Sequence, residues 1–207
     1  MSRSQFYNDI VKRLKAGNQN FLDLGCGFGQ DIRPLAIAGC DTSKLYALDL
    51  RKEFWELGYE LFRDQKKIKS PFILADILAD NSTYPKELKE LIGNVDVMYA
   101  GSLIHLFDYE GQLKVCLKIV QILRPVSGSV VMGRQVGNVV AGETPRRTNP
   151  NKSMFRHNAE SFEKMWQEVG EKTGTKWRVE AQLLKSESAS MRWDPNFRDL
   201  HFAVFRE

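Results

Sequence analysis

The sequence predicts an α/β fold in which a mostly parallel, seven-stranded sheet is flanked by helices and ends in a C-terminal antiparallel hairpin. Five short apolar runs are each followed by a helix or a longer connecting segment. These runs are nearly continuous in apolar character, which is typical of strands buried on both faces. Two later segments instead alternate apolar and polar residues, which is typical of antiparallel strands.

The first five strands and the helices between them follow in a regular order. The strands are expected at 20–25, 44–50, 71–76, 95–101 and 127–136. The helices are expected at 30–38, 52–65, 85–93 and 108–123. The second helix shows the spacing on which its prediction rests, with apolar residues at Phe54, Leu57, Leu61 and Phe62.

The pattern changes after residue 136. Segment 136–157 shows no periodicity, and it is expected to be a long loop on the substrate side, because long loops in compact domains are usually functional. A helix is expected to begin after Asn158 as its N-cap, with a buried stripe of Phe162, Met165, Trp166 and Val169. Segments 176–184 and 200–206 are expected to be antiparallel edge strands.

Composition narrows the classes of protein. The 207 residues are 43% hydrophobic and 27% charged, as expected for one globular domain over 1–207. No apolar run reaches the ~18 residues of a membrane span, and the net charge of +4 does not indicate nucleic acid. Cys26, Cys40 and Cys116 never form a CxxC pair, so free thiols, no metal site and a cytoplasmic protein are predicted.

Three glycines follow the first strand directly. Gly25, Gly27 and Gly29 allow positive φ angles and a close approach of a ligand at the carboxyl end of the strand. Asp49 ends the second strand 20 residues after Gly29, where it is expected to bind ribose hydroxyls. Asp76 ends the third strand, and we expect it to meet an adenine amino group.

The charges around the glycines favour one adenosine-containing ligand. The spacing is G-x-G-x-G instead of the G-x-G-x-x-G of dinucleotide-binding oxidoreductases. Asp23 and Asp31 flank the turn, and carboxylates there suit a cation such as the sulfonium and ammonium of S-adenosylmethionine (SAM), not a pyrophosphate. The alternatives are a dehydrogenase, or Asp49 and Asp76 as ordinary capping or solvated carboxylates.

Longer stretches carry a family resemblance. "LDLGCGFGQDIRPLAIAG", "YALDLRKEFWELGYELFRD", "AGSLIHLFDYEGQ", "GRQVGNVVAGETPRRTNP" and "MFRHNAESFEKMW" together resemble class I SAM-dependent methyltransferases, and among them fungal enzymes of meroterpenoid and related secondary-metabolite pathways. The resemblance implies a Rossmann-like fold and, as the reaction, methyl-ester formation on a carboxylic acid of a polyketide–terpenoid intermediate. Members usually carry a longer helical segment before the first strand, so the N-terminal cap is expected to be short or truncated.

The cofactor contacts are expected at the ends of the first four strands. They are Asp23, Gly25, Cys26, Gly27, Gly29, Gln30, Asp49, Leu50, Asp76, Ile77, Ala100 and Ser102.

The acceptor side is predicted from its cations. A carboxylate acceptor is already ionised at neutral pH, so it needs a group to hold it rather than a strong base. The predicted substrate-binding residues are His105, which is also the predicted catalytic residue, and Arg134, Gln135, Arg156 and His157. Further cations in the same loop are Arg146, Arg147 and Lys152.

Four alternatives stay open on the acceptor side. His105 could be a structural histidine, and the basic loop could be a solvated or nucleic-acid-binding surface. A hydroxyl acceptor would need a general base. A binding protein or non-methylating cyclase could retain the fold. The expected partner is a small molecule, with no nucleic acid and no membrane, and a homodimer is possible.

Overall fold

The computed structural model describes residues 1, 5–146, 149–185 and 194–207. Its helices are α1 (Tyr7–Lys15), α2 (Ile32–Ile37), α3 (Lys52–Phe62), α4 (Lys86–Leu91), α5 (Tyr109–Ile122) and α6 (Ala159–Thr173). Its strands are β1 (Phe21–Leu24), β2 (Leu45–Asp49), β3 (Phe72–Leu74), β4 (Val97–Tyr99), β5 (Val130–Asn138), β6 (Gly142–Arg146), β7 (Asn149–Arg156), β8 (Trp177–Lys185) and β9 (Phe197–Arg206). None of the helices in these ranges has the length and apolar character needed to span a membrane.

Seven strands form one sheet in the order β3-β2-β1-β4-β5-β9-β8. Strands β1 to β5 are parallel, whereas β9 is antiparallel to both β5 and β8. The predicted fold class is therefore confirmed. The prediction of two edge strands at the C-terminal end of the chain is wrong for β9, because β9 has a partner on each side and only β8 lies at the edge.

The helices cover the two faces of the sheet in two groups. Apolar side chains of α1, α2 and α3 pack in one buried cluster with strand residues such as Phe21 and Val97. Those of α4, α5 and α6 pack in a second cluster with Leu22 and Met98. Neighbouring residues thus face opposite clusters, as the twofold alternation of a strand requires. Helix α1 was not predicted from the sequence.

Helix α3 confirms the predicted helix but buries a different face. The four residues that define its spacing are exposed, at 43% for Phe54, 46% for Leu57, 66% for Leu61 and 42% for Phe62. The buried residues of α3 are Trp55 and Gly58. The apolar stripe in the sequence therefore lies on the outer surface, and α3 packs through an aromatic ring and a glycine.

Segment 136–157 is not an irregular loop. Strand β5 continues to Asn138, and β6 and β7 form a separate antiparallel hairpin. The hairpin packs on the start of α5, because Phe155 N donates to Phe107 O at 2.9 Å and Gln112 Nε2 donates to Phe155 O at 2.7 Å. Arg147, one of the cations named for this segment, lies outside the described residues.

Helix α6 begins as predicted. Asn158 is its N-cap, and it forms a capping box with Ser161: Ser161 N donates to Asn158 Oδ1 at 2.8 Å, and Asn158 N donates to Ser161 Oγ at 3.0 Å. The predicted stripe of the helix is buried, with 0% exposure at Phe162, Met165, Trp166 and Val169.

Candidate active site

The glycine turn joins β1 to α2 at the carboxyl edge of the sheet. Gly25, Gly27 and Gly29 have φ angles of +75°, +52° and +69°. The carbonyl of Leu48 in β2 accepts hydrogen bonds from Gly25 N at 2.8 Å and from Cys26 N at 3.1 Å. The turn is thereby fixed beside the ends of β1 and β2, where ligands bind in parallel α/β sheets.

Two of the glycines have different roles. A Cβ atom at Gly27 would meet only Gln30 Oε1, at 3.9 Å, so the space beside Gly27 is open. A Cβ atom at Gly29 would lie 2.3 Å from Trp55 Cζ3 and 2.9 Å from Arg33 Nη1. Glycine is therefore required at position 29 by internal packing, whereas Gly27 leaves room for a ligand.

Asp23 is a buried carboxylate directly beneath the turn. Asp23 is only 2% exposed, and its Oδ2 has no hydrogen-bond partner among the described residues. Burial, and then the charges of Asp31 and Asp49, raise the pKa of Asp23 well above its usual range. The terminal ammonium group of Met1 forms an ion pair with Asp31 and opposes that rise.

Asp49 lies at the end of β2 and holds the glycine turn. Its Oδ2 accepts a hydrogen bond from Gly27 N at 2.9 Å, and its Oδ1 accepts one from Arg51 N at 2.9 Å. The carboxylate thus combines a structural role with the predicted ligand role, since each oxygen retains acceptor capacity. Leu50, next to it, is 61% exposed and presents an apolar side chain at the same edge.

Asp76 and Ile77 follow β3 at the neighbouring position of the sheet edge. Asp76 is exposed, and its Oδ1 accepts a hydrogen bond from Leu78 N at 2.9 Å. The side chain of Ile77 is only 6% exposed and lies in the core, while its carbonyl accepts a hydrogen bond from Tyr84 Oη at 2.6 Å. A contact of Ile77 with the cofactor stays a prediction, and it would fall to the backbone of this residue, because its side chain lies in the core.

Cys26 and Gln30 also differ from each other in placement. Cys26 is 0% exposed, and burial raises the pKa of its thiol. Its side chain therefore packs in the core, and only the backbone of this residue lies in the turn. Gln30 is exposed, and its Nε2 donates to Asp31 Oδ2 at 3.3 Å.

The end of β4 is tied to β5 by backbone hydrogen bonds. Ala100 N donates to Met132 O at 2.8 Å, and Ser102 N donates to Arg134 O at 2.7 Å. Ala100 is 0% exposed, so its methyl group faces the core. Ser102 is exposed with a φ angle of 57°, which is uncommon for a residue other than glycine.

Tyr99 is a candidate site residue that was not predicted from the sequence. It is the last residue of β4 and lies directly opposite Asp23 of β1 in the parallel register. Burial, and then the charges of Asp31 and Asp23, raise the pKa of its hydroxyl. Its position in the sequence could have indicated it, because Tyr99 is the last residue of one neighbour of β1 and Asp49 is the last residue of the other.

His105 lies in a short 3-10 turn, Ile104–Leu106, after β4. It is partly buried, and its Nδ1 has no hydrogen-bond partner in the described ranges. Burial, and then the positive charge of Arg156, lower the pKa of His105 to about 4. The imidazole is therefore neutral at physiological pH, and its Nδ1 is free to take part in a hydrogen bond.

The predicted acceptor-binding cations differ in whether they have partners. Arg134 is exposed, and no acidic side chain in the described part of the chain forms an ion pair with it. Arg156 Nη1, in contrast, pairs with Asp194 Oδ2 at 2.9 Å. Gln135 follows Arg134 in β5 and faces the other side of the sheet; it is 1% exposed, and neither of its amide atoms finds a partner among the described residues.

The structure places His157, a predicted substrate-binding residue, in the interior. His157 is 0% exposed, and its ring lies 4.5 Å from that of Phe155 and 5.6 Å from that of Phe162. Its Nδ1 is 2.8 Å from Ser161 Oγ in the α6 capping box. His157 thus packs between the hairpin and α6, and its Nε2 has no hydrogen-bond partner among the described residues, so its role towards a substrate stays a prediction.

Comparison with known structures defines the class of fold. The [4+2]-cyclase SpnF aligns with a TM-score of 0.67 at 12% identity, over 96% of this chain and 79% of that one. A putative SAM-dependent methyltransferase of Listeria monocytogenes aligns with a TM-score of 0.60 at 12% identity, over 100% of both chains. The fold is that of the class I SAM-dependent methyltransferases. No protein-family model matches the chain.

Within that class, the sequence is similar to fungal enzymes. It is 43% identical over 204 residues to the O-methyltransferase atr3 of Stereocaulon alpinum, covering 98% of this chain. It is 44% identical over 181 residues to the O-methyltransferase phiE of Fungal sp. (strain ATCC 74256), covering 86% of this chain. The chain spans 58% of the length of each of these relatives. The predicted resemblance to fungal secondary-metabolite methyltransferases is confirmed.

Proposed function

We propose that this protein is a SAM-dependent O-methyltransferase that methylates a carboxylate on a small lipophilic secondary metabolite, such as a meroterpenoid intermediate. The observation that carries the proposal is the unpaired, buried Oδ2 of Asp23 beside an open glycine turn. A buried carboxylate surrounded by other carboxylates is stabilised by a cationic ligand. Relatives named as O-methyltransferases support the reaction class.

The residues present fit the cofactor. Asp23 and Asp31 lie at the turn where its ammonium group would bind, and a cation there favours the ionised form of Asp23, while Asp49 and Asp76 supply acceptors for its adenosine. Gly27 leaves the space beside the turn open. When bound, SAM supplies an electrophilic methyl group on a sulfonium.

Arg134 is the group best suited to hold the acceptor. Its guanidinium is exposed and forms no ion pair with the described acidic residues, so it can bind a carboxylate through two parallel hydrogen bonds. A hollow of about 390 Å³ adjoins it, lined by its chain neighbour Gly133 and its cross-strand partner His201. The lining of the hollow is mixed: Phe6 and Leu184 are apolar and suit the skeleton of a lipophilic acceptor, whereas Glu180 and Gln182 are polar.

The chemistry asks little of a base. A carboxylate carries no proton at neutral pH, so the chain has to orient the acceptor oxygen rather than deprotonate it. His105, neutral because of its lowered pKa, can donate or accept a hydrogen bond at the acceptor without adding charge. Arg134 fixes the carboxylate, and alignment supplies much of the rate.

Two measurements test the proposal. Calorimetric titration with S-adenosylhomocysteine should show binding, and its absence would remove the cofactor assignment. SAM with a deuterated methyl group should then label a lipophilic carboxylic acid as its methyl ester, while the primary alcohol of the same skeleton stays unlabelled. The rate of methyl transfer should persist down to about pH 5, because a carboxylic acid acceptor and His105 both have pKa values of about 4.

One observation favours a hydroxyl acceptor as the second candidate. The unpartnered Nδ1 of His105 is available, in the described structure, to accept a proton from an alcohol or phenol. Labelling of the alcohol, or of a phenol with a rate that rises towards pH 8 to 10 as the phenol itself deprotonates, would replace the carboxylate assignment by this one.

We also propose a cytoplasmic location and a small-molecule partner. Cys26, Cys40 and Cys116 are free and buried, as suits a reducing compartment. The formation of a homodimer stays a prediction, and the oligomeric state in solution would test it.

A further inference from the structure

The carbonyl of Phe28, in the glycine turn, accepts a hydrogen bond from a buried guanidinium. Arg33 of α2 is 5% exposed, and its Nη1 donates to Phe28 O at 2.5 Å. Its Nε and Nη2 donate to the two oxygens of Asp64, just after α3, at 2.7 and 2.9 Å. The Arg33 side chain also lies over the ring of Phe62, 4.1 Å from its centroid. Arg33 therefore joins the turn, α2 and the end of α3.

Helix α3 approaches the same carbonyl from another direction. A Cβ atom at Gly58 would lie 2.2 Å from Phe28 O, so only glycine permits this approach of the helix to the turn. One turn earlier, Trp55 fills the space that a side chain at Gly29 would occupy. This explains why α3 buries Trp55 and Gly58 and leaves its apolar stripe outside.

We propose that Arg33 and Gly58 are positioning residues, which fix the turn on its packed side so that its open side is preformed for the cofactor. The inference rests on the proposed function, because it assumes that the turn binds SAM. The packed side holds Phe28 and Gly29, while the adjacent Gly27 N is held by Asp49. A turn ordered in advance loses less conformational entropy when its ligand binds, so loosening it weakens binding without removing any ligand contact.

The first test compares two helical glycines. Gly58→Ala places a methyl group against Phe28 O, and Gly170→Ala places one against Thr175 O, 2.6 Å away, in α6. Both variants should lower the melting temperature. At a temperature where both stay folded, Gly58→Ala should raise the Kd for S-adenosylhomocysteine about tenfold, and Gly170→Ala should leave it within about twofold.

The second test keeps the positive charge at position 33 and removes the planar guanidinium that makes several hydrogen bonds at once. Arg33→Lys retains a cation for Asp64 but cannot supply the bidentate pair and the Phe28 contact together. Its control is Arg124→Lys, which alters the Arg124 Nε–Asp96 Oδ1 pair of 2.7 Å near the start of β4. Amide hydrogen exchange at Gly27 and Gly29 should quicken about tenfold or more in Arg33→Lys only.

The outcomes separate this inference from the proposed function. Failure of the unaltered chain to bind S-adenosylhomocysteine would count against the proposed function. Unchanged amide exchange at Gly27 and Gly29 in Arg33→Lys would overturn the positioning role, whether or not the ligand binds. Binding by Gly58→Ala that equals the unaltered chain would overturn it as well.

Discussion

Asp49 and Arg134 stand on either side of β1 and β4 at the same edge of the sheet, and their charges have different surroundings. The Asp49 carboxylate accepts backbone hydrogen bonds from Gly27 and Arg51. The Arg134 guanidinium forms no ion pair with the described acidic residues. On the cofactor side, the charged group also holds the protein in shape, whereas on the proposed acceptor side the charge is left available.

This difference predicts two kinds of mutational effect. Changes around the glycine turn should disturb the ligand and the local backbone together. Changes at Arg134 should disturb only the ligand.

The largest effect is expected from Gly27→Val. The φ angle of +52° strains any branched residue, and the new side chain would enter the open space beside the turn. The Kd for S-adenosylhomocysteine should rise about 100-fold or more, as measured by calorimetry, while circular dichroism shows a folded protein.

The control for that variant is Gly174→Val at the C-cap of α6. Gly174 has a φ angle of +65° and nothing within 4 Å of its Cβ position, so the backbone strain is similar. Cofactor affinity should be unchanged in the control. Equal losses of affinity in the two variants would mean that strain, and not a blocked ligand, explains the result.

A smaller effect is expected from Asp49→Ala. It removes charge-assisted bonds worth about 1.5–3 kcal/mol each, so affinity for S-adenosylhomocysteine should fall about 10- to 100-fold, with a lower melting temperature. Asp49→Asn should be milder, since one acceptor oxygen remains. Asp76→Ala is the comparison: Asp76 is exposed and bonds only Leu78 N in the described structure, so a change of a few fold is expected. A larger loss at Asp76 than at Asp49 would contradict this order.

Arg134→Met should show most clearly that acceptor binding can be weakened without a change in cofactor binding. The variant keeps an apolar stem and loses the bidentate group, so the acceptor KM should rise about tenfold with unchanged affinity for S-adenosylhomocysteine. Arg156→Met breaks the pair with Asp194 and should lower the melting temperature instead. A rise in acceptor KM confined to Arg156→Met would transfer the acceptor role to that residue.

The smallest effect concerns pH and the two histidines with low pKa values. His105 and His157 both have a pKa of about 4 in the folded protein, against about 6.5 when unfolded. Between these values each of these two side chains binds more protons in the unfolded chain, so its contribution to the free energy of unfolding should fall as the pH drops from about 6.5 towards 4. His157→Phe keeps the aromatic packing and should flatten this dependence in urea titrations by about one proton. An unchanged slope would show that His157 already carries a proton in the folded state.

Local sequence was sufficient to bring the glycine turn and Asp49, both predicted to bind the cofactor, to one edge of the sheet. Gly25, Gly27 and Gly29 lie within one turn, and Asp23 and Asp49 end adjacent parallel strands, so spacing and strand order place them together. The packing of Gly29 against Trp55 and the buried face of α3 could not be predicted from spacing. Helix α3 carries apolar residues on two sides, and the buried side is decided by contacts of Trp55 and Gly58 with a turn about 30 residues earlier.

The acceptor side depends on contacts that spacing does not encode. The β6–β7 hairpin has a polar sequence with little strand propensity, and it is docked on Phe107 and Gln112 by hydrogen bonds. His157 looked like part of a basic loop, but aromatic neighbours from α5 and α6 enclose it. The pairing of Arg156 depends on Asp194, which lies 38 residues further along the chain.

The position of β9 has a consequence for how the protein is made. This strand follows all the others in sequence but lies between β5 and β8, pairing with nine residues of each. Until β9 is synthesised, β5 is an open, apolar edge and β8 has no neighbour, and such edges promote aggregation. Completion of the sheet also needs pairing across long stretches of chain, which slows folding. We therefore expect a nascent chain that stops before Phe197 to require chaperone protection, while a chain that includes β9 closes its own sheet.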